Sequence, residues 1–102
     1  MNNTVEFEDI RIKLPELRTW FRDQEIFPTL AELKLLMVLM SAPCEIFSTD
    51  ELVMRLDLPS TQSLHVMIAH LREKLDQQYI ITMRGHGYAF ARESYSQKAK
   101  ES

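Results

Sequence analysis

The chain contains only two glycines, Gly85 and Gly87, and they lie two residues apart near its end. Glycine is favoured where the backbone must take a positive φ angle, as in tight turns. β-prone segments flank this turn, from Tyr79 to Met83 and from Tyr88 to Phe90. The sequence therefore predicts a tight β-hairpin that projects from the body of the protein.

Two helices are predicted before the hairpin, each from a capping-box sequence. In such a box, a hydroxyl and a carboxylate three residues later cap free N–H groups of the first turn. The box at Thr29 to Glu32 opens a helix that ends before Pro43, and the box at Ser48 to Glu51 opens a helix through Leu56. The short segment between them, Cys44 to Phe47, is predicted to be a strand-like link.

A third helix is predicted from Thr61 to Leu75. Its apolar residues recur at the spacing i, i+4, i+7 and i+11, which places them on one face. They are Leu64, Ile68, Leu71 and Leu75. Because such a stripe usually packs into the core, we assign it to the core.

The first part of the chain, residues 5–27, is predicted to form a small antiparallel sheet. Apolar and basic residues alternate from Ile10 to Leu14, which is typical of a half-buried strand. Arg18 to Phe21 and Glu25 to Phe27 flank the polar residues 22–24, a pattern that suits a hairpin.

These elements predict an α+β fold of the winged helix-turn-helix class. It has a small N-terminal antiparallel sheet at about 5–27, three helices at about 29–75 and a C-terminal β-hairpin wing at about 79–91. One domain therefore covers residues 1–92. Residues 93–102 are polar in composition and are predicted to form a disordered tail.

Composition agrees with a single soluble domain. The chain has 102 residues and a mass of 12.0 kDa, and its longest apolar run, Leu35 to Met40, is far too short to span a membrane. No secretory signal opens the chain, and one cysteine cannot form an internal disulfide. We therefore expect a cytoplasmic protein.

The charge is unevenly distributed along the chain. The net charge of −3 is unfavourable for a nucleic-acid binder. Residues 1–60 hold eleven acidic and six basic residues, whereas residues 61–102 hold four acidic and six basic residues and all three histidines. A surface that binds nucleic acid or another anion is therefore expected in the second part.

The sequence shows no catalytic motif and no metal-binding motif. Cys44 has no histidine nearby in sequence, and no glycine-rich phosphate loop is present. His65 and His70 are separated by five positions, roughly 140° around a helix, so they do not form the i, i+4 pair of a zinc-binding helix. No enzymatic activity, cofactor or metal site is predicted.

Four blocks carry a family resemblance: residues 29–36, residues 42–43 with 46–52, Ile68 to Leu75, and Ile81 to Phe90. They resemble the winged-helix DNA-binding effector domain of OmpR/PhoB-type response regulators. The resemblance covers about residues 7–92, and the order and separation of the last two blocks make it specific. It implies that the third helix enters the major groove of DNA, that the wing reaches the adjacent minor groove, and that the domain regulates transcription. Most members carry an N-terminal receiver domain, for which this chain is expected to have no room.

Helical geometry then assigns candidate contacts to the third helix and the wing. The candidates for base contact are Gln62, His65, Val66, Ala69 and His70. The candidates for phosphate contact are Ser63, Arg72, Lys74, Arg84 and His86. Three alternatives stay open: Arg72 could pair with a carboxylate of a neighbouring helix, Arg84 could brace its turn, and Gln62 could be a solvated first-turn residue.

The sequence also departs from the family pattern. Ala69 and His70 stand where a basic residue is common, Ala89 stands where arginine is frequent, and Glu73 on the outward face would repel phosphate. Cys44 stands where the family favours glycine. Because few cations remain, we expect modest affinity and a shallow salt dependence.

The resemblance implies partners of two kinds, DNA and protein, and one alternative function stays open. The first is double-stranded DNA, on which a homodimer on repeated half-sites would compensate for weak binding by one copy. RNA polymerase or another transcription protein is a further partner, although the link at 57–60 that can contact polymerase in the family is short here. The alternative is an acidic protein-interaction module, an adaptor or antagonist in a transcription complex with weak or no DNA binding.

Overall fold

The computed structural model describes residues 4–7, 9–14 and 16–90. Over these ranges it confirms the predicted α+β winged helix-turn-helix fold. Four strands come first: β1 (Thr4–Phe7), β2 (Ile10–Lys13), β3 (Arg18–Phe21) and β4 (Gln24–Ile26). They are followed by α1 (Leu30–Ser41), β5 (Ile46–Phe47), α2 (Thr49–Arg55), α3 (Thr61–Lys74), a 3-10 helix (Gln77–Tyr79), β6 (Ile80–Met83) and β7 (Gly87–Phe90). The predicted tail at 93–102 and the last residue of the predicted wing lie outside the described residues.

The N-terminal strands form an antiparallel sheet in the order β1-β2-β3-β4, as predicted for residues 5–27. Ile10 and Ile12 of β2 are buried, whereas Arg11 and Lys13 between them are exposed. This period of two leaves one face of the sheet on the core and the other in solvent. The turn before β4 is shorter than predicted, because Gln24 already belongs to that strand.

The two predicted capping boxes differ in the structure. At α1, the hydroxyl of Thr29 accepts from the N–H of Glu32, and the carboxylate of Glu32 accepts from the N–H of Thr29. At α2, the hydroxyl of Ser48 accepts from the N–H of Glu51, but the carboxylate of Glu51 pairs with Arg55 instead. The second box is therefore only half formed, because a basic residue one turn later competes for the carboxylate.

The predicted link at Cys44 to Phe47 contributes a strand. β5 pairs with β7, so the C-terminal sheet has three strands in the order β5-β7-β6. The wing therefore does not project as an isolated hairpin: its second strand is central and buried. Gly85 has the positive φ of 80° expected for a tight turn. Gly87 has φ 148° and also lies so close to β5 that a Cβ there would overlap the carbonyl oxygen of Phe47.

The core is built around α3, whose predicted apolar stripe is buried throughout: Leu64, Ile68, Leu71 and Leu75. Tyr79 is also fully buried, but it ends the 3-10 helix instead of beginning β6 as predicted. Its hydroxyl donates to Oδ2 of Asp9 at 2.7 Å and ties the two sheets together. Burial, reinforced by this hydrogen bond, raises the pKa of Tyr79 to about 12. Within the described ranges, no helix is long and apolar enough to cross a membrane.

The backbone of Cys44 has a conformation that favours glycine. Its φ is 71°, in the left-handed region where a side chain is strained. We expect Cys44→Gly to raise the free energy of unfolding by about 1 kcal/mol, because glycine removes this strain. Urea unfolding measures the change. Cys44→Ala is the matched control and should leave stability nearly unchanged, because it keeps the Cβ; equal stabilisation by both variants would contradict the explanation.

Candidate nucleic-acid interface

The outward face of α3 is exposed along its whole length, as the helical geometry predicted. This face carries Gln62, His65, Val66, Ala69, His70 and Glu73, and all six are exposed. Val66 is the large apolar side chain on this face, and it is 43% exposed. The five candidates for base contact therefore share one accessible surface.

The N-terminal end of α3 is fixed by a local cap. The hydroxyl of Ser60 accepts from the N–H of Ser63 at 3.2 Å, and the two hydroxyl oxygens lie 3.3 Å apart. Ser63 is only half-buried, and its neighbour Gln62 is exposed. Both side chains thus stay at the helix end that usually approaches DNA bases in helix-turn-helix proteins.

A groove of about 470 Å³ separates α3 from the wing and the start of α2. The imidazole of His65 forms one wall and packs edge-on against the ring of Tyr88, with ring centroids 6.2 Å apart. Arg84 and His86 line the opposite side at the exposed wing turn. In the described part of the chain, the side chain of Arg84 makes no hydrogen bond or ion pair, so the alternative in which it braces the turn has no contact to support it.

Arg72 is half-buried and directed toward β6. Its Nε and Nη2 donate to the carbonyl oxygen of Ile80 at 3.0 and 2.7 Å, and Nη2 also donates to the hydroxyl of Thr82 at 2.7 Å. The guanidinium lies 6.0 Å from the centre of the Tyr88 ring. Arg72 therefore clamps α3 to β6. Among the described residues it makes none of the carboxylate pairs considered as an alternative.

Lys74 and His70 both face a buried carboxylate of α1. Nζ of Lys74 lies 3.2 Å from Oε1 of Glu32, and Nδ1 of His70 lies 3.3 Å from Oε2 of Glu32. The side chain of Glu32 is 4% exposed, while that of His70 is 52% exposed. His70 thus bridges from the core to the outward face, whereas Lys74 is held at the end of α3.

The face of α3 and the wing is close to neutral. Among the described residues, Arg84 is the cation on it without an internal partner, and Glu73 is an exposed acid on the same helix. Arg72 and Lys74 are partly engaged in contacts within the protein. Seven of the ten predicted site residues are thus exposed, Ser63 is half-buried, and Arg72 and Lys74 are held against the protein itself.

Glu32 and Asp9 are two carboxylates whose pKa values are lowered in the folded protein. Burial alone would raise the pKa of Glu32, but the N–H of Thr29 and the ammonium of Lys74 outweigh it and lower the pKa. Hydrogen bonds from the hydroxyl of Tyr79 and from Arg22 lower the pKa of Asp9. Both carboxylates are therefore ionised in the folded protein at neutral pH.

This lowering predicts how stability depends on pH. A carboxyl group whose pKa is lower in the folded than in the unfolded state stabilises above its unfolded pKa, and the contribution is lost as the pH falls through the folded pKa. We expect the free energy of unfolding to fall below about pH 4. Glu32→Gln should flatten this decline in urea unfolding between pH 3 and 7, whereas Glu73→Gln at an exposed position should not. Identical slopes for both variants would contradict the assignment.

Sequence reasoning missed three residues that shape this surface: Glu32, Thr82 and Tyr88. The capping box identified Glu32 as the end of a local motif, but no local pattern shows that it meets α3. Thr82 and Tyr88 lie in strands whose sequences do not show that these side chains meet Arg72 and His65 of α3. A metal site is not found in the described ranges, where no three His, Cys, Asp or Glu side chains cluster suitably.

Comparison with known proteins agrees with this geometry. Residues 23–90 match the family described as "Transcriptional regulatory protein, C terminal". A probable transcriptional regulatory protein of Picosynechococcus sp. is 35% identical over an alignment of 98 residues. The match covers 87% of this chain and 39% of that protein. The chain thus spans less than half the length of this relative.

Solved structures share the fold. The response regulator DrrB of Thermotoga maritima, an OmpR/PhoB homologue, is similar with a TM-score of 0.77 at 20% identity, over 87% of this chain and 44% of that one. The DNA-binding domain of Klebsiella pneumoniae RstA, solved in complex with the RstA box, gives a TM-score of 0.76 at 26% identity over 86% of this chain and 96% of that one. Sequence and fold agree: this chain belongs to the family of C-terminal domains of transcriptional regulatory proteins and has the winged-helix fold of the OmpR/PhoB DNA-binding domains.

Proposed function

We propose that this protein binds specific double-stranded DNA sequences through α3 and the wing and thereby regulates transcription, without enzymatic activity. The observation that carries the proposal is the uncovered face of α3 beside the exposed wing turn. A helix with a row of exposed polar and small apolar side chains suits the major groove, which admits one α-helix. The RstA domain, similar in sequence and fold, was solved bound to DNA.

Base and phosphate contacts divide along this surface. Gln62 can pair with adenine through two hydrogen bonds, and Val66 and Ala69 can contact a thymine methyl group. His65 and His70 can hydrogen-bond to base edges. The phosphate contacts fall to Arg84, His86 and Ser63, because Arg72 and Lys74 are engaged within the protein.

So few phosphate contacts imply weak binding by one copy. Affinity for DNA depends mainly on the number of phosphates neutralised. We propose that two copies bind repeated half-sites, so that the second binding event gains from the first. RNA polymerase or another transcription protein is the proposed protein partner.

Selection from a random pool of DNA duplexes tests the proposal. We expect an enriched sequence motif with the unmodified protein. Arg84→Ala should weaken binding to that motif about tenfold and reduce by about one the slope of log affinity against log salt concentration. Lys34→Ala, which removes an exposed cation of α1, is the matched control and should change neither quantity.

The second candidate is a protein-interaction module, and the near-neutral charge of the α3 face favours it. An acidic winged helix with Val66 exposed could dock a protein partner through the same surface. Failure to enrich any motif, together with binding to nonspecific DNA that is no stronger at low salt, would support this alternative and contradict DNA recognition.

A further inference from the structure

The carboxylate of Glu32 is buried between α1 and α3 and has donors on both of its oxygens. Oε1 accepts from the N–H of Thr29 at 3.0 Å and lies 3.2 Å from Nζ of Lys74. Oε2 lies 3.3 Å from Nδ1 of His70. His70 is the partner of Oε2 in the described part of the chain.

This arrangement fixes the position of a proton on His70. A buried carboxylate oxygen needs a hydrogen-bond donor, since an unpaired buried charge is costly. Nδ1 can donate only if it carries the proton; otherwise its lone pair would face the oxygen at 3.3 Å. A hydrogen bond at one ring nitrogen of histidine sets which tautomer is present. Glu32 therefore holds His70 with the proton on Nδ1.

The other ring nitrogen then has a defined role on the exposed face. In a neutral imidazole with the proton on Nδ1, Nε2 is a hydrogen-bond acceptor. The side chain of His70 is 52% exposed, and the geometry of the ring directs Nε2 away from the carboxylate. With a neutral imidazole, the outward face of α3 thus presents a hydrogen-bond acceptor at this position.

An acceptor distinguishes bases in the major groove. Adenine and cytosine present amino groups there, whereas guanine presents only acceptors and thymine an acceptor and a methyl group. An acceptor on the protein can pair with the amino groups, and it is repelled by carbonyl oxygens and by phosphate. His70 with its proton on Nδ1 is therefore suited to the bases that present an amino group in the major groove, adenine and cytosine.

We propose that His70 is a specificity-determining residue whose Nε2 accepts a hydrogen bond from the amino group of adenine or cytosine, and that Glu32 is the residue that positions it. The proposal rests on DNA binding through α3. Glu32 lies on α1 and is buried. It would therefore affect base preference through His70, without contacting DNA.

The variant Glu32→Gln moves the proton of neutral His70 from Nδ1 to Nε2 without changing the shape of the side chain at position 32. Its amide oxygen can keep the contacts to Thr29 and Lys74, while its NH₂ group replaces Oε2 and donates to Nδ1. The proton of neutral His70 then moves to Nε2, which becomes a donor. We expect the preferred base at this position to change from adenine or cytosine to guanine or thymine.

Two measurements test this inference. Long-range ¹H–¹⁵N NMR spectra of the free protein, above the pH at which imidazoles titrate, should show His70 protonated at Nδ1 in the unmodified protein and at Nε2 in Glu32→Gln. Selection of DNA duplexes should show a preference of roughly tenfold for an amino-bearing base at one position, the typical effect of one unsatisfied hydrogen bond. Glu32→Gln should reverse this preference, and His70→Ala should abolish it in both backgrounds.

Lys74→Gln is the matched control, because it removes the other side-chain partner of Glu32 and leaves Oε2 facing His70. It should preserve both the tautomer and the base preference. His70 protonated at Nε2 in the unmodified protein, or an unchanged base preference in Glu32→Gln, would overturn the inference while leaving DNA binding intact. Absence of DNA binding by the unmodified protein would overturn the proposed function instead, and the base preference with it.

Discussion

Gly87→Ala is expected to lower the free energy of unfolding by roughly 3 kcal/mol, among the largest effects of a single methyl group in this protein. The added Cβ would overlap the carbonyl of Phe47, and Gly87 has φ 148°, which residues with a side chain rarely adopt. The clash is with backbone, so no rotamer change relieves it. For a domain of this size, we expect the midpoint of thermal unfolding to fall by roughly 15 °C.

Gly85→Ala provides the matched control in the same turn. A Cβ at Gly85 would have no heavy atom within 4 Å, although φ is positive there as well. This variant should therefore cost only about 1 kcal/mol. Equal losses for the two variants in thermal unfolding would show that φ alone, and not the close approach of β5, requires glycine at Gly87.

Arg72→Ala is expected to lower the free energy of unfolding by about 2 kcal/mol, since hydrogen bonds from a charged donor are lost at the junction of α3 and β6. The variant leaves the carbonyl of Ile80 and the hydroxyl of Thr82 without these donors. DNA affinity should fall as well, because the wing loses its fixed position relative to α3. Urea unfolding and DNA titration at several salt concentrations measure the two effects.

The salt dependence separates the two roles of Arg72. A residue that contacts phosphate contributes about one to the slope of log affinity against log salt concentration. A clamp should leave that slope unchanged while stability and affinity fall. Arg72→Lys should recover only part of the stability, because an ammonium group cannot reproduce the planar fork of the guanidinium. A smaller slope with unchanged stability would restore Arg72 as a phosphate contact.

Local patterns were sufficient for most of the fold. The apolar spacing of α3 predicted its buried stripe from Leu64 to Leu75, and the capping box predicted the start of α1 at Thr29. The turn residues predicted the hairpin at Gly85. These features depend on neighbours within one or two helical turns or across a single turn, so the sequence contains the necessary information.

Features that join distant segments were missed. The sequence predicted Cys44 to Phe47 only as a strand-like link, and the pairing of Ile46 and Phe47 with β7 depends on a strand about forty residues later in the chain. The reason for Gly87 became clear only from the position of β5.

By itself, the amino-acid sequence determined the order of the elements, the outward face of α3 and the resemblance to DNA-binding effector domains, because periodicity and turn chemistry are local. Tertiary structure alone decided which cations remain available: Arg72 is bound to β6 and Lys74 to Glu32, whereas Arg84 stays exposed. The physical reason is that a long basic side chain binds the nearest acceptor. Which acceptor is nearest depends on how α1, α3 and β6 pack, and residues far apart in the chain meet only in the folded protein.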